Sequence, residues 1–126
     1  MHYKVMLAML LATTSLASLA DPDLDGKYAA SWGGNGKFFE AELVIEGNAG
    51  TWNAHALNKH NPCFGRDYPI VVSFRPDDII RIDLLASKVL PGCDDWFLKL
   101  KRGEPGVLLG LRINGEESHK ITLVKE

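Results

Sequence analysis

Hydrophobic residues recur at every second position along most of this chain. Tyr28, Ala30 and Trp32 alternate with Lys27, Ala29 and Ser31, and Phe39, Ala41, Leu43 and Ile45 alternate with Glu40, Glu42, Val44 and Glu46. Trp52, Ala54 and Ala56 face away from Asn53 and His55. Ile70, Val72 and Phe74 make a fourth run, and Ile80, Ile82 and Leu84 a fifth against Arg81 and Asp83. Trp96, Leu98 and Leu100 oppose Phe97, Lys99 and Lys101; Val107, Leu109, Leu111 and Ile113 oppose Gly110 and Arg112; Ile121 and Leu123 oppose Lys120 and Thr122. A period of two belongs to a strand that buries one face. The pattern therefore predicts about eight strands and no amphipathic helix.

Turn residues separate the runs: Gly33-Gly34-Asn35-Gly36, Gly47-Asn48-Ala49-Gly50, Arg75-Pro76-Asp77-Asp78, Gly103-Glu104-Pro105-Gly106 and Asn114-Gly115. Gly and Asn supply the positive φ of tight hairpins, and Pro ends a strand. Short links make successive strands antiparallel neighbours, a meander. With no helix to cover its apolar face, the sheet curls onto itself. The expected fold is all-β, a small antiparallel up-and-down barrel or strongly coiled sheet, with a β-sandwich as the alternative.

Two connections are longer, Asn58–Pro69 and Leu85–Asp95, and each carries one of the two cysteines, Cys63 and Cys93. In a meander the third and fifth connections share an end, so topology and cysteine count both place a disulfide there. Closing a loop of this length contributes about 3–4 kcal/mol in the chain-entropy model.

The segment ahead of the strands reads differently. His2 and Lys4 precede the uncharged run Val5–Ala12, and small residues lead to Ser18-Leu19-Ala20 before Asp21-Pro22-Asp23. A basic start, an apolar stretch too short to span a bilayer and a small-residue cleavage site predict a signal peptide over residues 1–20. Residues 21–126 then form a single all-β domain, exported to the periplasm or secreted and not inserted in a membrane. That part holds 13 basic and 16 acidic residues. The balance argues against nucleic acid or an anionic membrane as a partner, and a monomer is expected.

Catalytic chemistry finds no support. Asp77-Asp78 and Asp94-Asp95 are adjacent in sequence, whereas acid–base hydrolysis needs carboxyls held apart across a cleft. No Gly-x-Ser-x-Gly turn accompanies His55, His60 or His119, and His55 and His119 read as surface residues. Neither cysteine has a second ligand at metal spacing beyond His60, so no metal or cofactor is expected. Glu40, Glu42 and Glu46 form an outer acidic stripe, expected to be simply solvated or to pair with Lys99 and Lys101 across strands, or else to meet a basic partner protein.

The disulfide end gathers the remaining candidates: His60, Phe64, Arg66 and Tyr68 in one long loop, Asp94 and Asp95 in the other. Arg66 facing Asp94 or Asp95 across the bridge would make either a structural ion pair or a polar recognition point. These residues together either tie down the two long loops or form a ligand or partner site. Trp32, Trp52 and Trp96 fall on the inward alternation, where they either fill the core or line an apolar pocket.

Asp25-Gly26-Lys27-Tyr28 through Gly50-Thr51-Trp52 resembles the opening strands of calycin-type barrels such as avidins and lipocalins, which implies a barrel. Cys63-Phe64-Gly65-Arg66 with Leu90-Pro91-Gly92-Cys93-Asp94 is similar to a group of uncharacterised exported proteins of Gram-negative bacteria, which implies a periplasmic or secreted product. Two functions follow. The preferred one is a non-enzymatic protein–protein surface at the linked loops or a sheet edge, inhibitor-like or a surface antigen, because a 106-residue domain leaves little volume for a cavity. The alternative is a small apolar ligand held in a calycin-like barrel.

Overall fold

The computed structural model describes residues 22–34, 36–55 and 61–126. The predicted signal segment, Ala56 and the candidate His60 therefore lie outside the described residues. Eight strands form: β1 (Gly26–Gly34), β2 (Lys37–Glu46), β3 (Ala49–Ala54), β4 (Tyr68–Arg75), β5 (Ile79–Leu84), β6 (Trp96–Arg102), β7 (Val107–Asn114) and β8 (Glu117–Lys125). Each pairs antiparallel with the next, and β8 pairs back onto β1 from Trp32↔Ile121 to Tyr28↔Lys125, so the ring is a closed barrel. Closure gives every strand a hydrogen-bonded neighbour on both sides and removes the open sheet edge that one recognition mode required. Among the described residues no helix is long and apolar enough to cross a membrane.

The inner rows pack one core. Leu43, Ile45, Leu98 and Leu123 are wholly buried, with Ile80, Ile82 and Leu100 beside them. One end of the barrel is plugged by a 3-10 turn, Pro22–Leu24, that the strand pattern did not anticipate. Leu24 is 1% exposed, and its carbonyl accepts a 2.8 Å hydrogen bond from the Tyr28 hydroxyl. Asp25 Oδ1 accepts from the Gly47 N–H at 2.8 Å, and Lys125 Nζ donates to the Asp23 carbonyl at 2.9 Å. These bonds hold the plug over the strand ends.

Two expectations about faces are corrected. The alternation in β7 is real but its phase is inverted: Leu108 is buried, while Leu109 is 47% and Leu111 36% exposed. Cross-strand partners share a face, and the pairs Leu98↔Arg112, Leu100↔Gly110 and Leu108↔Leu123 turn Leu108, Gly110 and Arg112 inward. Gly110 is required there, because a Cβ at that position would collide with the Lys99 carbonyl oxygen of β6. The more hydrophobic set of side chains thus faces out. The acidic stripe, for its part, lies on β2, between β1 and β3, and Lys99 and Lys101 lie on β6, between β5 and β7. Glu42 pairs instead with Lys27 of β1, Oε2 to Nζ 3.9 Å, and both are exposed enough for water to screen most of the attraction.

Candidate functional site

The end opposite the plug is shaped by the two long connections. Cys63 and Cys93 are bonded with their Cα atoms 5.7 Å apart, which joins the β3–β4 and β5–β6 connections at the shared end. Local hydrogen bonds fix each connection. Gly65 N–H donates to the Ala54 carbonyl at 2.7 Å, Cys63 N–H to Asn61 Oδ1 at 3.0 Å, and Asn53 Nδ2 to Asp67 Oδ1 at 3.0 Å. In the other connection a 3-10 turn, Ala86–Lys88, presents Ser87 to Asp95, whose carboxylate accepts from the Ser87 N–H and hydroxyl, each at 2.8 Å. These bonds from Ser87, helped by the nearby Lys88 charge, hold the Asp95 carboxyl below its ordinary pKa.

Between the connections the barrel opens into a cavity of about 360 Å³, within the size range of small-molecule sites. Its floor is aromatic. Trp32 and Trp52 have ring centroids 5.4 Å apart, and Trp52 meets Trp96 edge-on at 4.8 Å. On the other side Trp32 stacks on Phe39 at 5.5 Å, and Phe39 meets Phe64 at 6.4 Å. Trp52 is only 2% exposed. The indoles are therefore packed in the core and border the cavity with the little surface that stays uncovered.

Arg112 stands over this floor. It projects inward from β7 between Leu98 of β6 and His119 of β8. Its guanidinium carbon is 4.5 Å from the Trp96 ring centroid and 5.4 Å from that of Trp32, within cation–π range of both. Burial disfavours the charge and lowers the pKa, with Glu117 and Asp94 partly opposing the shift; an arginine remains a cation at physiological pH all the same. Asp94 and Glu117 are exposed at the rim, and among the described residues no carboxylate lies within 4.0 Å of the guanidinium. Arg112 Nε is buried with no acceptor. A buried donor left unpaired costs about 1–3 kcal/mol, more when charged. On its far side Arg112 borders a second hollow of about 210 Å³ with Lys37, Glu117 and His119, whose Nδ1 is also buried without a partner. His119 is thus half-buried at the mouth rather than on the outer surface.

The sequence candidates separate accordingly. Tyr68 is buried, its hydroxyl 3.6 Å from Cys93 Sγ, and with Phe64 and Asp94 it lines the cavity. Asp95 is turned to Ser87. Arg66 is exposed and outside the cavity lining, and no ion pair joins it to Asp94 or Asp95. Asp95 is bonded to Ser87 and Asp94 lines the cavity that Arg66 does not reach, and no ion pair forms across the disulfide. Arg112 and His119 were missed because the polar residue in an apolar run reads as the outer face; the parity of Arg112 with Gly110 was the available signal.

Comparison with known protein families, with curated proteins and with solved structures finds no match to this chain. The fold and the site together define a closed eight-stranded antiparallel barrel, sealed at one end and hollowed into a disulfide-pinned cup at the other.

Proposed function

We propose that the protein is an exported, non-enzymatic binder of a small ligand, held in the cup above Trp32, Trp52 and Trp96. The observation that supports this most is the cavity of about 360 Å³ floored by three indoles. The three indoles border the cavity while each stays at least nine-tenths buried, so they hold its wall rigid and offer a ligand their uncovered edges. Trp faces with a few polar groups at the rim are the common make-up of a ligand site. Export agrees with the disulfide, which persists in oxidising compartments, and with the signal-like first 20 residues. The loop-surface reading draws less support, because Tyr68 is buried in the cup wall and Asp95 is occupied by Ser87.

The test uses the neutral aromatic probe N-phenyl-1-naphthylamine with the oxidised protein. Saturable probe fluorescence, with a matching change in tryptophan emission, is expected for wild type and for Arg66→Ala. Loss of the signal on reduction of the Cys63–Cys93 bond is also expected. Absence of saturable binding, or a protein partner captured by wild type and lost with Arg66→Ala, favours the loop surface instead.

A further inference from the structure

Taking the cup as the binding site, we infer that its ligand is a small organic anion, a carboxylate on a flat apolar body, with Arg112 as its anchor. The inference rests on how the cup distributes its polar groups. Among the described residues that line the larger hollow Arg112 is the only cation, and it lies over Trp32 and Trp96 rather than paired with a carboxylate. A guanidinium lying over two aromatic faces leaves its in-plane donors to be satisfied by another group. Nε has no acceptor among the described residues. A carboxylate is the acceptor that matches a guanidinium edge, through two parallel charge-assisted bonds.

The body of the ligand follows from the floor. The lining beside Arg112 is largely aromatic, Trp32, Trp52 and Trp96 packed at 38° and 79° to one another with Phe64 alongside, and it suits a flat apolar body. The charged and titratable groups around Arg112 among the described residues fit the assignment. Lys37 and His119 lie on its far side across the second hollow, while Asp94 and Glu117 are exposed at the rim, where water weakens their repulsion of an incoming anion.

The test compares three ligands of one shape: 1-naphthoate, its neutral amide 1-naphthamide, and the cation 1-naphthylmethylammonium. Affinities are read by calorimetry and by displacement of N-phenyl-1-naphthylamine. Wild type is expected to bind the acid about tenfold to a hundredfold more tightly than the amide, the value of a charge-assisted pair. Arg112→Gln is expected to bring the acid-to-amide ratio to about one, and Arg112→Lys to keep part of the preference. Equal binding of acid and amide by wild type, or a preference for the cation, overturns the anion assignment and leaves the cup standing. Failure of all three ligands and of the neutral probe overturns the cup itself. If Arg112→Gln does not fold, the acid-to-amide ratio of the wild type decides alone.

Discussion

Leu98 and Arg112 are register partners on β6 and β7, and both side chains point into the barrel, yet one is wholly buried hydrocarbon and the other a guanidinium. The barrel interior changes character between those two positions, from dry core to open cup. This places different demands on the two side chains. Leu98→Ala leaves a cavity in packed core and is expected to cost about 2–5 kcal/mol. Arg112→Leu removes a desolvated charge along with two cation–π contacts, and is expected to stay within about 1 kcal/mol of wild type. Urea denaturation of both variants checks the contrast. A cost for Arg112→Leu as large as that for Leu98→Ala means that the arginine is there for the fold.

The Cys63–Cys93 bond closes the largest unpaired connections in the barrel. Its removal by Cys63→Ser with Cys93→Ser is expected to lower stability by about 3–4 kcal/mol. The melting temperatures of oxidised wild type, reduced wild type and the double variant measure this, and the last two should coincide.

Asp77 and Asp78 connect β4 to β5 with φ of 67° and 60°, the left-handed region. Side chains with a Cβ pay for that conformation, while glycine does not. Asp78→Gly is expected to stabilise the hairpin by about 0.5–1 kcal/mol despite the added freedom of the unfolded chain. Thermal melting tests it, and a lower melting temperature counts against this account of the turn.

Asp95 supplies a pH dependence. Its folded pKa is depressed by the Ser87 bonds, so the unfolded chain takes up its proton first as pH falls. The stability it contributes is complete above the ordinary aspartate value and is lost as pH falls through the depressed one. Asp95→Asn and Ser87→Ala are each expected to flatten part of the acid limb of stability against pH while leaving the neutral plateau's slope unchanged. An acid limb identical to wild type in both variants refutes the assignment.

Strand number, order and closure were legible because a period of two with one apolar face per strand leaves a helix-free chain few ways to bury that face. The disulfide was legible from topology, since alternate hairpin connections must emerge together. The face of β7 was not. Hydrophobicity favours Val107, Leu109, Leu111 and Ile113 inward, but phase is set by hydrogen-bonded neighbours and by the room available at Gly110. That single inversion hid Arg112, and with it the polar centre of the cup. Tyr68 was read as a recognition residue because loops carry function, although here its ring closes the wall from the first position of β4.

The plug turn has a practical side. Pro22–Leu24 and the last residues of β8 meet at one pole, where Lys125 holds the Asp23 carbonyl and the Glu126 N–H donates to the Lys27 carbonyl. A tether or fusion joined at Glu126 leaves from the base of the vessel, and its rim stays clear. Surface-immobilised protein would present its opening to the flowing solution, so sensor measurements of small solutes need no repositioning of the attachment point.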